Sequence, residues 1–318
     1  MALKLRELTQ TPELIACGHR ACAGCLGVNA VRQVLHAVDR PVVTTSATGC
    51  LEVTTTIYPY TAWETPFIHS AFENVAATAS GIEAALKVLG DEGSIPKKAK
   101  TIAFAGDGGT YDIGLQALSG ALERGHDFLY VCYNNEAYMN TGIQRSGATP
   151  YGASTTTSPA GRASLGKTQR PKNLTDIVVA HNIPYVAQAS PHNWRDLATK
   201  VKKAMDKEGP AFINILAPCH RGWRYPMEEG ISISKMAVDT CVWPLFEVDE
   251  GEWKLSYNPR KKPAVADWLK RQRRFEHLFK SDDPAPLETI QQAVDADWLR
   301  LLGRCGEAPK ADGNATAA

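Results

Sequence analysis

The stretch GDGGTYDIGLQALSGALERGHDFLYVCYNNEAYMN, residues 106–140, decides the fold. A β-branched, apolar run at 101–105 leads into a glycine-flanked Asp107. Helical spacing follows over 112–123, and a second apolar run at 128–133 ends on Asn134-Asn135. Two apolar runs joined by a helix predict a βαβ unit whose parallel strands end side by side. The Asp107 carboxylate and the Asn135 side-chain oxygen then meet in a glycine-rich loop, and the Ala137 carbonyl is available as a third oxygen. Hard oxygen ligands of this kind suit Mg²⁺ held against a diphosphate. Gly106, Gly108 and Gly109 let the backbone approach a phosphate, and a helix starting near Asp112 points its amide dipole at the negative charge. Alone, Gly-Asp-Gly also fits a purely structural strand–turn–helix. The Asn-Asn at the next strand end favours the metal–diphosphate reading.

Outward from this stretch the same alternation continues. The spacing predicts helices over 26–38, 72–89 (ended by Gly90), 174–182 and 194–207, and strands over 41–46, 184–188 and 211–216. The fold class is therefore α/β: a mainly parallel sheet with helices on both faces, followed by a C-terminal extension. Residues 142–174, rich in Ser, Thr, Gly and Pro, form a long loop of the functional or interfacial kind. The pattern weakens after Pro226. The basic segment 258–274 reads as a solvated tail or a surface docked on another subunit, and the last dozen residues as disordered.

A net charge of +1, with 22% charged residues, argues against a nucleic-acid binder. No run approaches the ~20 apolar residues of a membrane span. Leu3, Leu5 and Leu8 alternate with charges rather than forming a secretory core, so a cytoplasmic location is expected.

Eight cysteines in such a chain point to metal or redox chemistry before disulfides. Cys22 and Cys25 form a CxxC turn before a helix, Cys50 follows a strand, and Cys219 follows Pro218 at another strand end. Four thiolates at such termini suit a [4Fe–4S] cluster or a Cys₄ zinc site, and CxxC also serves thiol–disulfide exchange. Cys17, Cys241 and Cys305 have no matching partners, although Cys17 is near enough in sequence to be a spare ligand. Cys132, inside an apolar run, reads as a small buried hydrophobe.

The 106–140 stretch resembles the thiamine diphosphate motif of transketolases and 2-oxoacid decarboxylases. Longer text carries a closer resemblance: GHRACAGC (18–25), ATGCLEVTTTIYPYTAW (47–63), AFENVAATASGIEAA (71–85), residues 103–146, and ILAPCHRGW (215–223). It resembles the β subunits of multi-subunit 2-oxoacid:ferredoxin oxidoreductases, most closely the pyruvate:ferredoxin oxidoreductase (pyruvate synthase) type. That resemblance implies a domain over 1–245 binding thiamine diphosphate and a [4Fe–4S] cluster, and an extension over 246–318. It places the cluster ligands on Cys22, Cys25, Cys50 and Cys219, and the Mg²⁺ ligands on Asp107, Asn135 and the Ala137 carbonyl. The diphosphate loop falls on Gly106, Gly108 and Gly109. Cofactor-contacting positions fall on Thr48, Gly49, Cys50, Leu51, Glu73 and Met139, and Asn140 faces thiazolium and substrate.

The implied reaction is oxidative decarboxylation of a 2-oxoacid, pyruvate favoured, to acetyl-CoA and CO₂. Electrons pass through the cluster to a ferredoxin-like subunit and external ferredoxin. Phenylglyoxylate, oxalate, 2-oxoisovalerate or 2-oxoglutarate as substrate, and NAD reached through a flavin subunit as acceptor, stay open. In this family an α subunit supplies the Glu that polarises the aminopyrimidine, and a γ-type subunit completes the complex. Glu136 sits in the metal turn, away from that role, so the isolated chain is expected to be inactive. A non-redox thiamine enzyme has no use for the four thiolates. A zinc or electron-transfer module without catalysis is the rival of another class. His220-Arg221 departs from the small neutral residues expected after the last cysteine of pyruvate enzymes.

Overall fold

The computed structural model describes residues 6, 9–96 and 98–308. Leu3, Leu5 and Leu8, and the small polar stretch from 309 onward, lie outside them. Helix α1 (Leu26–His36) precedes strand β1 (Val42–Ala47), the short helix α2 (Cys50–Thr55), strand β2 (Phe67–Ser70) and helix α3 (Val75–Asp91). Strand β3 (Lys100–Gly106) leads through a π-helical turn (Gly108–Ile113) into helix α4 (Leu115–Glu123) and strand β4 (Phe128–Asn134). After a long loop come α5 (Leu174–Val179), β5 (Tyr185–Ala189), α6 (Trp194–Asp206) and β6 (Ala211–Leu216). The chain continues through α7 (His220–Trp223), α8 (Gly230–Asp239), β7 (Phe246–Asp249), β8 (Glu252–Leu255), α9 (Val265–Lys270), a 3₁₀ segment (Arg273–Phe279) and α10 (Ala285–Arg304).

The eight strands form one sheet in the order β8-β7-β5-β6-β4-β3-β1-β2. All pairings from β2 to β5 are parallel, and only the β7 and β8 edge is antiparallel. Alternation along each central strand feeds two cores. Ile102, Phe104, Leu129, Val131 and Tyr133 face α1 and α6. Ala103, Ala105, Phe128, Tyr130 and Cys132 face α3, α4 and the Trp298–Leu301 part of α10. Both faces are covered, which is why the strands read as continuous apolar runs. Among the described residues no helix is long and apolar enough to cross a membrane.

Four expectations need correction. The helix expected over 112–123 is two pieces: the π turn opens at Gly108, and α4 begins only at Leu115. The Gly114 N–H bonds the Gly109 carbonyl at 2.8 Å, and a Cβ at Gly114 would lie 2.2 Å from that oxygen. Only glycine permits this wide turn, of a kind found mostly at functional sites. Helix α3 starts at Val75, and Gly90 lies inside it rather than ending it; the left-handed residue beyond the end is Gly93, φ +77. The division expected at residue 245 falls one residue before β7, which pairs with β5 in the main sheet. Finally, Arg274, in the basic segment expected at the surface, is buried at 3% exposure.

Candidate functional site

The carboxyl ends of four neighbouring strands, β6, β4, β3 and β1, carry the residues singled out from sequence. Cys219 follows β6, Asn135 to Ala137 follow β4, Asp107 to Gly109 follow β3, and Thr48 to Cys50 follow β1. Cys22 and Cys25 form the turn before α1, closed by the Cys25 N–H on the Cys22 carbonyl at 3.1 Å. Open α/β sheets place ligands in this crevice.

Asp107 is fully buried. Its carboxylate accepts from the Asn135 N–H at 3.1 Å and from the Ser146 hydroxyl at 2.5 Å. Burial pushes the carboxyl up to about 7, against those two hydrogen bonds, so a cation is the partner that would favour its ionised form. One end of the Asn135 side-chain amide lies 2.8 Å from the Ala137 carbonyl oxygen and 3.0 Å from an Asp107 oxygen. With the amide nitrogen there, it donates to both. With the oxygen there, three oxygens sit at about the 3 Å edge of an octahedron whose ligands lie ~2.1 Å from Mg²⁺. The donor set fits Mg²⁺.

The turn presenting these oxygens is built by groups the sequence did not disclose. Glu136 takes a left-handed conformation, φ +64, uncommon for a residue with a side chain. Its N–H bonds the Asn134 side-chain oxygen at 2.9 Å, and its carbonyl accepts from the Thr149 hydroxyl at 2.6 Å. Its buried carboxylate pairs with Arg274 at 2.5 Å. The Arg274 guanidinium stacks 3.9 Å over the Trp223 ring, whose indole N–H donates to the Asn135 carbonyl at 2.8 Å. The 142–174 loop is packed here rather than structureless: Ser146, Ala148, Thr149, Ala153 and Lys167 are buried in it. A repeating pattern marks none of these residues.

All eight cysteines are free thiols. Burial pushes Cys25 and Cys219 up and Cys50 up to about 12; Cys50 also feels Cys219, Cys25 and Cys22. The four thiols are thus neighbours. Cys25, Cys50 and Cys219, raised in this way, do not have the lowered pKa of an exchange thiol. Among the described residues no three His, Cys, Asp or Glu side chains close around a single ion. Cys132 is fully buried on the opposite face of the sheet, and Cys17 is exposed.

Of the remaining predicted positions, Thr48 bonds His69 at 2.9 Å, and Leu51 buries its side chain in the α1-facing core. Met139 packs its sulfur where a Cβ on Gly222 would lie, 2.2 Å away. Glu73 and Asn140 are exposed at the mouth. A Cβ on Gly108 would lie 2.4 Å from the Tyr138 ring, so the chain's own packing demands glycine there.

Comparison with known proteins agrees with this geometry. Residues 47–215 match the family described as "Thiamine pyrophosphate enzyme, C-terminal TPP binding domain". The chain is 52% identical over 293 residues to pyruvate synthase subunit PorB of Methanocaldococcus jannaschii, covering 92% of this chain and 97% of that one. It is 51% identical over 313 residues to the PorB of Thermotoga maritima, covering 95% and 96%. It is 44% identical over 301 residues to ketoisovalerate oxidoreductase subunit VorB of Pyrococcus furiosus, covering 94% and 96%. Among solved structures it shares a fold, TM-score 0.52 and 20% identity, with a 2-oxoglutarate:ferredoxin oxidoreductase from Magnetococcus marinus; the match covers 71% of this chain and 78% of that one.

Proposed function

The chain belongs to the family of β subunits of 2-oxoacid:ferredoxin oxidoreductases, and on that premise we propose that it is the subunit holding thiamine diphosphate, Mg²⁺ and a [4Fe–4S] cluster for oxidative decarboxylation of pyruvate. The observation that carries this reading is the row of four neighbouring strand ends, oxygens on the central two and thiols on the flanking two. Thiamine diphosphate supplies an electron sink that lets a 2-oxoacid lose CO₂, and the cluster accepts the resulting electrons singly.

Asp107, Asn135 and the Ala137 carbonyl hold the metal against the diphosphate, while Ser146 and the Asn135 N–H orient the Asp107 carboxylate. Gly106, Gly108 and Gly109 shape the loop beside it, and Cys22, Cys25, Cys50 and Cys219 hold the cluster. The Thr48 to Leu51 turn, Glu73, Met139 and Asn140 border the cofactor and substrate. Glu136 is committed to Arg274 and is not free to act on the cofactor's pyrimidine. An α subunit therefore completes the site, with a ferredoxin-like subunit and a γ-type subunit in the same assembly and CoA as co-substrate.

Seven relatives at 46–52% identity are pyruvate synthase subunits, whereas the ketoisovalerate relative is at 44%. That ordering favours pyruvate, with branched 2-oxoacids second. The test is an anaerobic panel of 2-oxoacids with CoA and a viologen dye, on the intact complex and on the isolated chain. Dye reduction fastest with pyruvate, by the complex only, is expected. A colourless, zinc-containing protein would sink the redox reading, and faster turnover of another 2-oxoacid would move the substrate.

A further inference from the structure

Tyr133 is the one member of the 128–134 strand whose polar atom is left over. Its side chain is buried at 3% exposure in the α1-facing core, and although the Leu51 N–H approaches the hydroxyl oxygen, its O–H reaches no acceptor. Native proteins rarely leave a buried hydroxyl unpaired, because the lost hydration is not repaid. Three glycines make room for this ring. A Cβ on Gly49 would lie 2.9 Å from the hydroxyl, one on Gly106 would lie 3.3 Å from the ring, and one on Gly27 would lie 3.7 Å from it. The same Cβ on Gly27 would lie 3.7 Å from the Cys25 sulfur. Gly49 precedes Cys50, Gly106 precedes Asp107, and Gly27 follows Cys25 by two residues. The phenol thus stands where the thiol turns meet the metal loop. Gly49 and Gly106, expected to serve a cofactor directly, have this second reason to be glycine.

We propose that Tyr133 donates its O–H to a sulfur of the iron–sulfur group anchored by Cys50 and thereby raises that group's reduction potential. The inference rests on the cluster reading above. The hydroxyl lies against Gly49, the residue before Cys50, so the nearest cluster-anchoring turn is that of Cys50. A donated hydrogen bond stabilises the more negative, reduced form of a cluster and moves its potential upward. Phenylalanine fills the same space without the donor.

The experiment is a redox titration of the anaerobic complex, wild type and Tyr133→Phe, followed by EPR of the reduced cluster, with iron content and thiamine diphosphate affinity measured on both. The expected result is unchanged iron and cofactor affinity with a more negative midpoint in the variant. An unchanged midpoint overturns the proposal. So does weakened thiamine diphosphate binding at constant midpoint, which would assign the hydroxyl to the diphosphate side. A wild-type complex without iron would instead remove the cluster reading itself. If the variant loses iron, the wild type carries the test. An exchangeable proton coupled to the reduced cluster, lost in ²H₂O, is expected, and its absence refutes the hydrogen bond.

Discussion

Replacing Arg274 by Met strands a carboxylate. The Arg274 and Glu136 side chains are 3% and 6% exposed and meet at 2.5 Å, with the guanidinium 3.9 Å over the Trp223 ring. Removing one partner of a buried pair costs about 3–5 kcal/mol, because the other charge loses both water and partner. The stacking on Trp223 contributes about 1 kcal/mol more. At about 2.1 cal/mol/K per residue, unfolding 318 residues carries an entropy near 0.7 kcal/mol/K, so the loss corresponds to about 6–9 °C in Tm. The damage is local to the metal turn, since Glu136 lies between Asn135 and Ala137 and holds a left-handed conformation there. Differential scanning calorimetry and a thiamine diphosphate titration in the presence of Mg²⁺ should therefore move together. Adding Glu136→Gln to the Arg274→Met variant removes the stranded charge and should recover more than half of the Tm loss. A Tm change below about 2 °C in the single variant, with cofactor affinity unaltered, would refute the idea that this pair sets the turn.

The other predictions concern the metal, the thiols and pH. Asp107→Ala should abolish Mg²⁺-dependent thiamine diphosphate binding while the visible absorption of the cluster persists; normal cofactor affinity would show that the metal is held elsewhere. Cys50→Ser or Cys219→Ser should bleach that absorption with the circular dichroism retained. Cys132→Ala, altering a residue on the other face of the sheet, should leave the absorption intact. Burial pulls the Lys167 ammonium down from 10.5 to about 8. The unfolded chain therefore binds more protons than the folded one between those values, and this residue's contribution to stability rises with pH across that window. Denaturant midpoints of wild type and Lys167→Met measured across it should converge or cross in the wild type's favour as pH rises; parallel curves would show that Lys167 does not titrate there.

What the sequence disclosed follows from the physics of a covered parallel sheet. Strands buried on both faces must be largely apolar, so 101–105 and 128–133 stand out, and the polar residues just after them, Asp107 and Asn134-Asn135, mark the crevice. Cysteines at strand and helix ends stand out in the same way. Arg274 did not, because a buried arginine is spelled like a surface one and its partner lies 138 residues away. The π turn was hidden because its bond from Gly114 to Gly109 leaves no repeating pattern. Strand β7 was hidden because it alternates Phe246, Glu247, Val248 and Asp249 like a half-exposed strand, although Glu247 is buried against Tyr185 and Lys203. Tyr133 was legible as strand and illegible as donor, since nothing in a sequence tells which buried hydroxyl lacks an acceptor.

The two halves of the crevice are mechanically one piece. Trp223 bonds the Cys219 carbonyl through its backbone N–H at 2.8 Å and the Asn135 carbonyl through its indole at 2.8 Å. Met139, just past the metal turn, packs against Gly222 in the same short helix. A displacement of the Cys219 turn therefore pulls on the backbone that presents the Asn135 and Ala137 oxygens. Arg274 stacks on Trp223 from outside and Tyr133 fills the space inside, so the thiol turns and the metal loop are packed against shared side chains. Trp223 and Arg274 come from α7 and the 3₁₀ segment, both beyond the 47–215 stretch that matches the thiamine family, so this bracing of the metal turn is supplied by chain outside that stretch.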